Sequence, residues 1–119
     1  MAIVSLILAT TVAWQEPPPA PRIRPRVIPY AEVVRCAGLA QAASELEGGE
    51  TVEGRALSDA ALYWSLSAAQ AASIAGRPAD LADADQTRAR ILAVRQLAVG
   101  NAEARADLAN CRRRTPDLN

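Results

Sequence analysis

Alanine is the feature that most restricts what this chain can fold into. It occupies 27 of the 119 positions, whereas only two tryptophans, two tyrosines and no phenylalanine are present to build a core. Alanine has the highest helix propensity of all residues, and its small side chain lets neighbouring helices approach closely. A chain of this length fits one domain. The sequence therefore predicts a single all-α domain.

Apolar spacing and stop signals divide this domain into four helices in a small antiparallel bundle. They are predicted over about residues 31–47, 57–75 and 80–99, and from Asn101 to about Arg114. Gly48, Gly76 and Gly100 each follow the end of a helix, as glycine commonly does. If Gly100 is tolerated within a helix, the last two helices fuse and the bundle has three.

The second helix is the expected centre of the bundle. No charged residue lies between Asp59 and Arg77, and Ser58 is the predicted N-cap of this helix. Its serines and many alanines make it too weakly apolar for a membrane span. The face predicted to pack against neighbouring helices carries mostly small side chains: Ala61, Leu62, Ser65, Leu66, Ala69, Ala72, Ser73 and Gly76.

Residues 1–13 form an apolar stretch typical of a secretory signal peptide. Thr11 and Ala13 provide the small residues of a cleavage site, although no basic residue precedes the apolar run. As a helix, 14 apolar residues reach about 21 Å, short of the roughly 30 Å hydrocarbon core of a bilayer. We therefore expect a periplasmic or secreted protein. The alternative is anchoring to the inner membrane by residues 1–14.

Residues 14–29 contain six of the eight prolines, which favours an extended linker over a helix. Arg22, Arg24 and Arg26 make the linker basic, and they are candidate contacts for an acidic partner or an anionic membrane surface. A solvated spacer is the simpler interpretation. The helical domain then covers residues 30–115, followed by a short tail over residues 116–119.

The two cysteines fall on the apolar faces of the first and last helices. In an antiparallel bundle Cys36 and Cys111 can lie opposite each other and form a disulfide, which agrees with export to an oxidising compartment. Closing a loop of this length stabilises the fold by about 4 kcal/mol in the chain-entropy model. A redox-active pair is the alternative, but the sequence has neither Cys-x-x-Cys nor a βαβ pattern.

Catalytic and metal-binding interpretations each lack a required residue. The absence of histidine removes histidine-based acid and base catalysis and histidine metal sites, and two cysteines alone cannot complete a zinc site. Asp83 begins a sequence like a calcium loop, but Arg88 stands where that loop needs glycine. A solvated acidic loop is favoured over a pair of catalytic carboxylates for a further cluster: Glu45, Glu47, Glu50, Glu53 and Asp59. No enzyme activity and no cofactor are predicted.

Tyr63 and Trp64 are the only large aromatic pair inside the domain. The favoured interpretation places both in the core, because large aromatic side chains dominate core energetics. An exposed pair would instead anchor a partner, since such residues are frequent at binding hot spots. Together with the three linker arginines, Tyr63 and Trp64 are therefore the candidate interaction residues.

Three segments resemble small uncharacterised exported proteins of high-GC alphaproteobacteria: Cys36-Ala-Gly-Leu, Ala42-Ala-Ser-Glu-Leu-Glu-Gly and Asp59-Ala-Ala-Leu-Tyr-Trp-Ser-Leu. The resemblance covers about residues 36–111. It implies export and a compact fold, and it brings no activity, site or ligand.

These observations favour a non-enzymatic, exported helical module that binds a protein or an envelope component through the basic linker or the acidic loop. One alternative is a periplasmic stress or chaperone-like protein. Another is a membrane-associated protein that faces the cytoplasm. No nucleic-acid partner is predicted, and membrane contact is expected only through the N-terminal segment.

Overall fold

A computed structural model describes residues 28–117, which form an all-α bundle without strands. Its four helices are α1 (Tyr30–Glu47), α2 (Val52–Ile74), α3 (Ala79–Ala98) and α4 (Ala102–Arg113). The prediction of a small four-helix bundle closed by one disulfide is confirmed. Among the described residues, no helix combines the length and the apolar character that crossing a bilayer requires.

Helix α1, not α2, is the centre of the bundle, so the predicted central position of the second helix is wrong. All three other helices contact α1, and α2 and α3 make the most extensive contacts with it. Half of α1 is buried: Val33, Val34, Cys36, Ala37, Gly38, Leu39, Ala40, Ala42 and Ala43. These buried residues are uncharged and mostly small, so several helices can pack around them at once. The longer uncharged stretch of α2 was the more obvious signal, but half of that stretch faces solvent.

Gly38 is the position at which α1 and α3 come closest. A Cβ atom at Gly38 would lie 2.5 Å from the backbone carbonyl carbon of Ala89 and 2.7 Å from its Cβ. Real Cβ atoms do not approach other atoms so closely, because van der Waals repulsion rises steeply at these distances. The absence of a side chain at Gly38 therefore sets the distance between the two helices.

Helix α2 begins five residues earlier than predicted. Thr51, not Ser58, is its N-cap: the Thr51 hydroxyl accepts a hydrogen bond from the Gly54 amide at 2.8 Å. Ser58 lies inside the helix, where its hydroxyl bonds the Ser44 hydroxyl of α1 at 2.8 Å. Gly54 is buried, and a Cβ there would collide with the Gly48 carbonyl. Position 54 therefore requires glycine, because the first turn of α2 lies against the turn that follows α1.

Helices α3 and α4 are separate, so the fused alternative is wrong. Gly100 has a φ of 70°, in the left-handed region that ends a helix, and the Asn101 side chain accepts a hydrogen bond from the Ala104 amide at 2.8 Å. Gly48 and Gly76 also have positive φ, at 84° and 70°. The three glycines therefore end their helices as predicted.

The disulfide between Cys36 and Cys111 attaches α4 to the central helix. The two Cα atoms lie 5.5 Å apart, and the bond closes a sequence separation of 75 residues. Only Ala104 and Cys111 of α4 are buried, so this helix contributes little apolar contact of its own. Ion pairs from α4 and the residue after it add partly or largely exposed electrostatic contacts, which are individually weak: Arg35 with Asp107, Glu53 with Arg112, and Glu32 with Arg114. The covalent bond is therefore the main attachment.

Replacing Gly38 by alanine tests the close approach of α1 and α3. We expect Gly38→Ala to lower the free energy of unfolding by about 1–3 kcal/mol, because the added methyl group overpacks the contact with Ala89. Urea unfolding followed by far-UV circular dichroism measures this change. Gly49→Ala is the control, since a Cβ added at Gly49 would meet no atom within 4 Å and Gly49 has no positive φ. Equal stability of the two variants would contradict the proposed role of Gly38.

Candidate functional site

Tyr63 and Trp64 are in contact but differ in burial. Trp64 is 1% exposed, and its indole nitrogen donates a hydrogen bond to the Thr115 hydroxyl at 2.9 Å. The Arg114 guanidinium lies 5.5 Å from the Trp64 ring centroid and covers it. Trp64 is thus a core residue, as the favoured interpretation held, and the alternative of an exposed Trp64 anchor is wrong. Half-buried Tyr63 meets the Trp64 ring edge-on, at 5.1 Å between centroids.

Several acidic residues around the α1–α2 turn are paired with arginines or hydroxyl groups. Glu45 pairs with Arg90 of α3 at 3.3 Å, and Glu53 pairs with Arg112 of α4. Glu47 accepts a hydrogen bond from the Thr51 hydroxyl. Within residues 28–117 there is no cluster of three or more histidine, cysteine or acidic residues able to hold a metal ion. Arginines therefore neutralise part of the acidic loop, which weakens it as a surface for a basic partner.

Asp85 is the most strongly hydrogen-bonded carboxylate among the described residues. It accepts bonds from the Arg77 guanidinium at 2.6 and 3.1 Å, from the Tyr30 hydroxyl at 2.8 Å and from Arg88 at 2.6 Å. Arg77 follows α2, Tyr30 begins α1 and Asp85 lies in α3. This polar joint, formed by Tyr30, Arg77, Asp85 and Arg88, ties three helices together at one end of the bundle.

The polar joint also shifts the pKa values of Asp85 and Tyr30. Hydrogen bonds from Arg77, and then from Tyr30, hold the pKa of Asp85 at about 2, below its usual value of 3.8. Burial, together with the hydrogen bond to Asp85, raises the pKa of Tyr30 above 10.0. Both groups therefore keep their neutral-pH forms over a wide pH range. Stable hydrogen bonding of this kind serves the fold.

The solvent-facing side of α2 is the candidate functional surface. We call it the α2 outer face, and it consists of Leu62, Leu66, Ala69, Gln70, Ser73 and Ile74, with Tyr63 at its edge. Leu62, Leu66 and Ile74 are 58%, 63% and 83% exposed. The face carries no charge, because no charged residue lies between Asp59 and Arg77. Uncharged surface with several exposed large apolar side chains is typical of interaction sites.

A shallow groove runs along this face. It has a volume of about 390 Å³ and is lined by Leu62, Tyr63, Leu66, Ser67 and Gln70. The Ser67 hydroxyl donates a hydrogen bond to the Tyr63 carbonyl of its own helix at 2.7 Å, so it does not present an unsatisfied donor to the groove. The groove therefore offers mainly apolar contact, with Gln70 as its polar group.

A second groove, of about 270 Å³, lies where the C-terminal ends of α1 and α3 meet the start of α2 and helix α4. Buried or half-buried leucines and exposed charges of both signs line it: Leu57, Leu97, Leu108, Glu47, Glu53 and Arg105. These opposite charges interrupt the apolar surface and select no particular sign of partner. The α2 outer face is the stronger candidate because it is continuous and uncharged.

Sequence reasoning assigned Leu62 and Leu66 to the packing face of the second helix, and this was wrong. The residues that pack are rotated around the helix from that face: Gly54, Leu57, Ala60, Ala61, Trp64, Ala68 and Ala72. Trp64 is the residue that could have indicated the buried side of α2, because burying the largest side chain of this helix fixes which side faces the core. The predicted linker contacts Arg22, Arg24 and Arg26 lie outside the described residues.

The polar joint makes a pH-dependent contribution to stability. The folded pKa of Asp85 is below its unfolded value, so this contribution is fully present above about pH 4 and is lost as the pH falls towards 2. We expect Asp85→Asn to lower the melting temperature at neutral pH. The difference from the wild-type protein should shrink between about pH 4 and pH 2.

Thermal unfolding followed by circular dichroism across this pH range measures the effect. Asp83→Asn is the matched control, since Asp83 is an exposed aspartate of the same helix that makes no contact with Arg77 or Tyr30. A melting-temperature difference for Asp85→Asn that stays constant down to pH 2 would contradict the assignment.

No protein-family model, no curated protein and no solved structure matches the chain.

Proposed function

We propose that this protein is a non-enzymatic, exported helical module that acts by binding a protein through the α2 outer face. The observation that carries the proposal is the uncharged, exposed apolar surface formed by Leu62, Leu66 and Ile74. Such side chains gain free energy on burial, by roughly 25 cal/mol for each Å² of apolar surface removed from water. Exposure of this face to water is therefore unfavourable, and binding a protein partner would bury the face.

The rigid support behind the face favours this use. Directly opposite the exposed leucines, α2 buries Trp64, Ala68 and Ala72 against the rest of the bundle. Since the helix is fixed to the core, the backbone that carries the outer side chains is held in position before a partner arrives. A preorganised surface of this kind loses less conformational entropy on binding than a flexible one.

The disulfide supports the exported location. Protein disulfides persist in oxidising compartments and are rare where glutathione and thioredoxin keep thiols reduced. Helix α4 has little buried apolar surface, so the Cys36–Cys111 bond matters to the integrity of the fold. The proposed signal peptide, residues 1–13, and the proposed linker, residues 14–29, place the helical domain beyond the membrane and leave it free to meet a partner.

Export and the disulfide can be tested together by intact mass spectrometry of the protein isolated from its native cells. We expect a mass that lacks about 13 N-terminal residues, as cleavage by a signal peptidase would produce. We also expect a deficit of two hydrogens and no alkylation unless reductant is added. A full-length chain with two alkylatable thiols would refute both export and the disulfide.

The binding surface can be tested by site-specific photo-crosslinking. A photoreactive benzoylphenylalanine replaces Gln70 on the α2 outer face, and a control replaces exposed Thr87 of α3. After irradiation of intact cells, we expect discrete adducts from position 70 only. Leu66→Arg should reduce these adducts by about tenfold or more, because it puts a charge in an apolar contact.

Leu92→Arg is the matched control variant. Leu92 is an exposed leucine of α3, 51% accessible, so the same substitution there adds the same charge away from the proposed site. Adducts from position 70 that are equally strong in both arginine variants would refute binding through the α2 outer face.

A further inference from the structure

The α2 outer face has the shape of a ridge beside a groove. Leu62, Leu66, Gln70 and Ile74 follow one another at intervals of four residues, so their side chains form a continuous ridge. Tyr63 and Ser67 belong to the adjacent row with the same spacing. The groove of about 390 Å³ lies between these two rows, since its lining residues come from both of them.

A ridge and a groove of the same spacing fit each other on two identical helices. Packing the four-residue ridge of one helix into the equivalent groove of another is the commonest arrangement of helices in globular proteins, with axes crossing at about −50°. A twofold axis satisfies both contacts at once, because each copy supplies one ridge and one groove. We propose that the partner of the α2 outer face is a second copy of this chain, an inference that rests on the proposed function.

An antiparallel pair with its twofold axis level with residue 68 places the Leu62 end of each ridge beside the Ile74 end of the other. Leu62 is 58% exposed and Ile74 is 83% exposed, so this pairing covers apolar surface at both ends of the ridge.

Charge favours the same arrangement. The uncharged stretch is bounded by Asp59 at one end and by Arg77 at the other. An antiparallel pair therefore brings unlike charges towards each other at both ends, whereas a parallel pair brings like charges together. The Arg77 guanidinium already bonds Asp85, so this attraction selects orientation more than it adds affinity.

The whole chain also offers no net electrostatic repulsion to self-association. It carries 13 basic and 13 acidic residues, and removal of residues 1–13 leaves this balance unchanged because they hold no charge. A net charge near zero promotes association between copies of a protein.

The ridge from Leu62 to Ile74 is about 18 Å long at 1.5 Å per residue. An interface of that length falls in the small class, so a reversible dimer is expected.

Analytical ultracentrifugation of the purified exported chain tests the proposal. We expect a monomer–dimer equilibrium that becomes visible between about 10 μM and 1 mM, the range typical of small interfaces. Leu66→Arg should weaken dimerisation by about tenfold or more, since it places two arginines near the twofold axis. Leu92→Arg should leave the dimer unchanged.

A charge-swap pair keeps the test independent of any effect on folding. Leu66→Arg and Leu66→Asp should each be monomeric alone, and an equimolar mixture should associate, because unlike charges then meet across the axis. Monomeric wild-type protein at about 1 mM would overturn the proposed dimer. If photo-crosslinks from position 70 are still lost in Leu66→Arg, the proposed function stands with another protein as partner. If neither assay responds, both proposals are wrong.

Discussion

The close contact between α1 and α3 at Gly38 and Ala89 is the constraint on which the rest of the bundle depends. Because Gly38 has no side chain, the two backbones approach to a distance that even a methyl group would prevent. The small residues on either side of Gly38 continue this contact along α1, so α2, α3 and α4 can all reach the same central helix. Close packing of small residues thus replaces the bulky aliphatic core that this composition lacks.

A core of this kind stabilises weakly per residue, since each buried methylene contributes only about 0.8 kcal/mol. The disulfide offsets this deficit at the weakest element, α4, which buries only Ala104 and Cys111. The polar joint around Asp85 has a similar role at the start of α1, where it binds α3 to the chain that follows α2. The disulfide and the polar joint therefore contribute much of the stability of the fold.

The central position of α1 also explains why Leu62, Leu66 and Ile74 of α2 are exposed. With α1 at the centre, a single side of α2 is enough to cover it, and Trp64 occupies that side. Leu62, Leu66 and Ile74 are left on the opposite side, where they add nothing to the stability of the isolated bundle. The proposed dimer would cover these side chains, since the regular ridge and groove they form suit a second helix of the same shape.

Local signals in the sequence were sufficient to predict the helices, their glycine stops and the cysteine pairing, because these depend on backbone preferences and on apolar spacing along each helix. They left open whether the last two helices are separate. The start of α2 was missed, since Gly54 is needed for close approach to Gly48 and only resembles a loop residue in the sequence. Tertiary structure alone decided which helix is central and which side of α2 faces water. On helices that are uncharged and rich in alanine, opposite sides differ too little in hydropathy for the sequence to specify the buried one, so packing around Gly38 and Trp64 makes that choice.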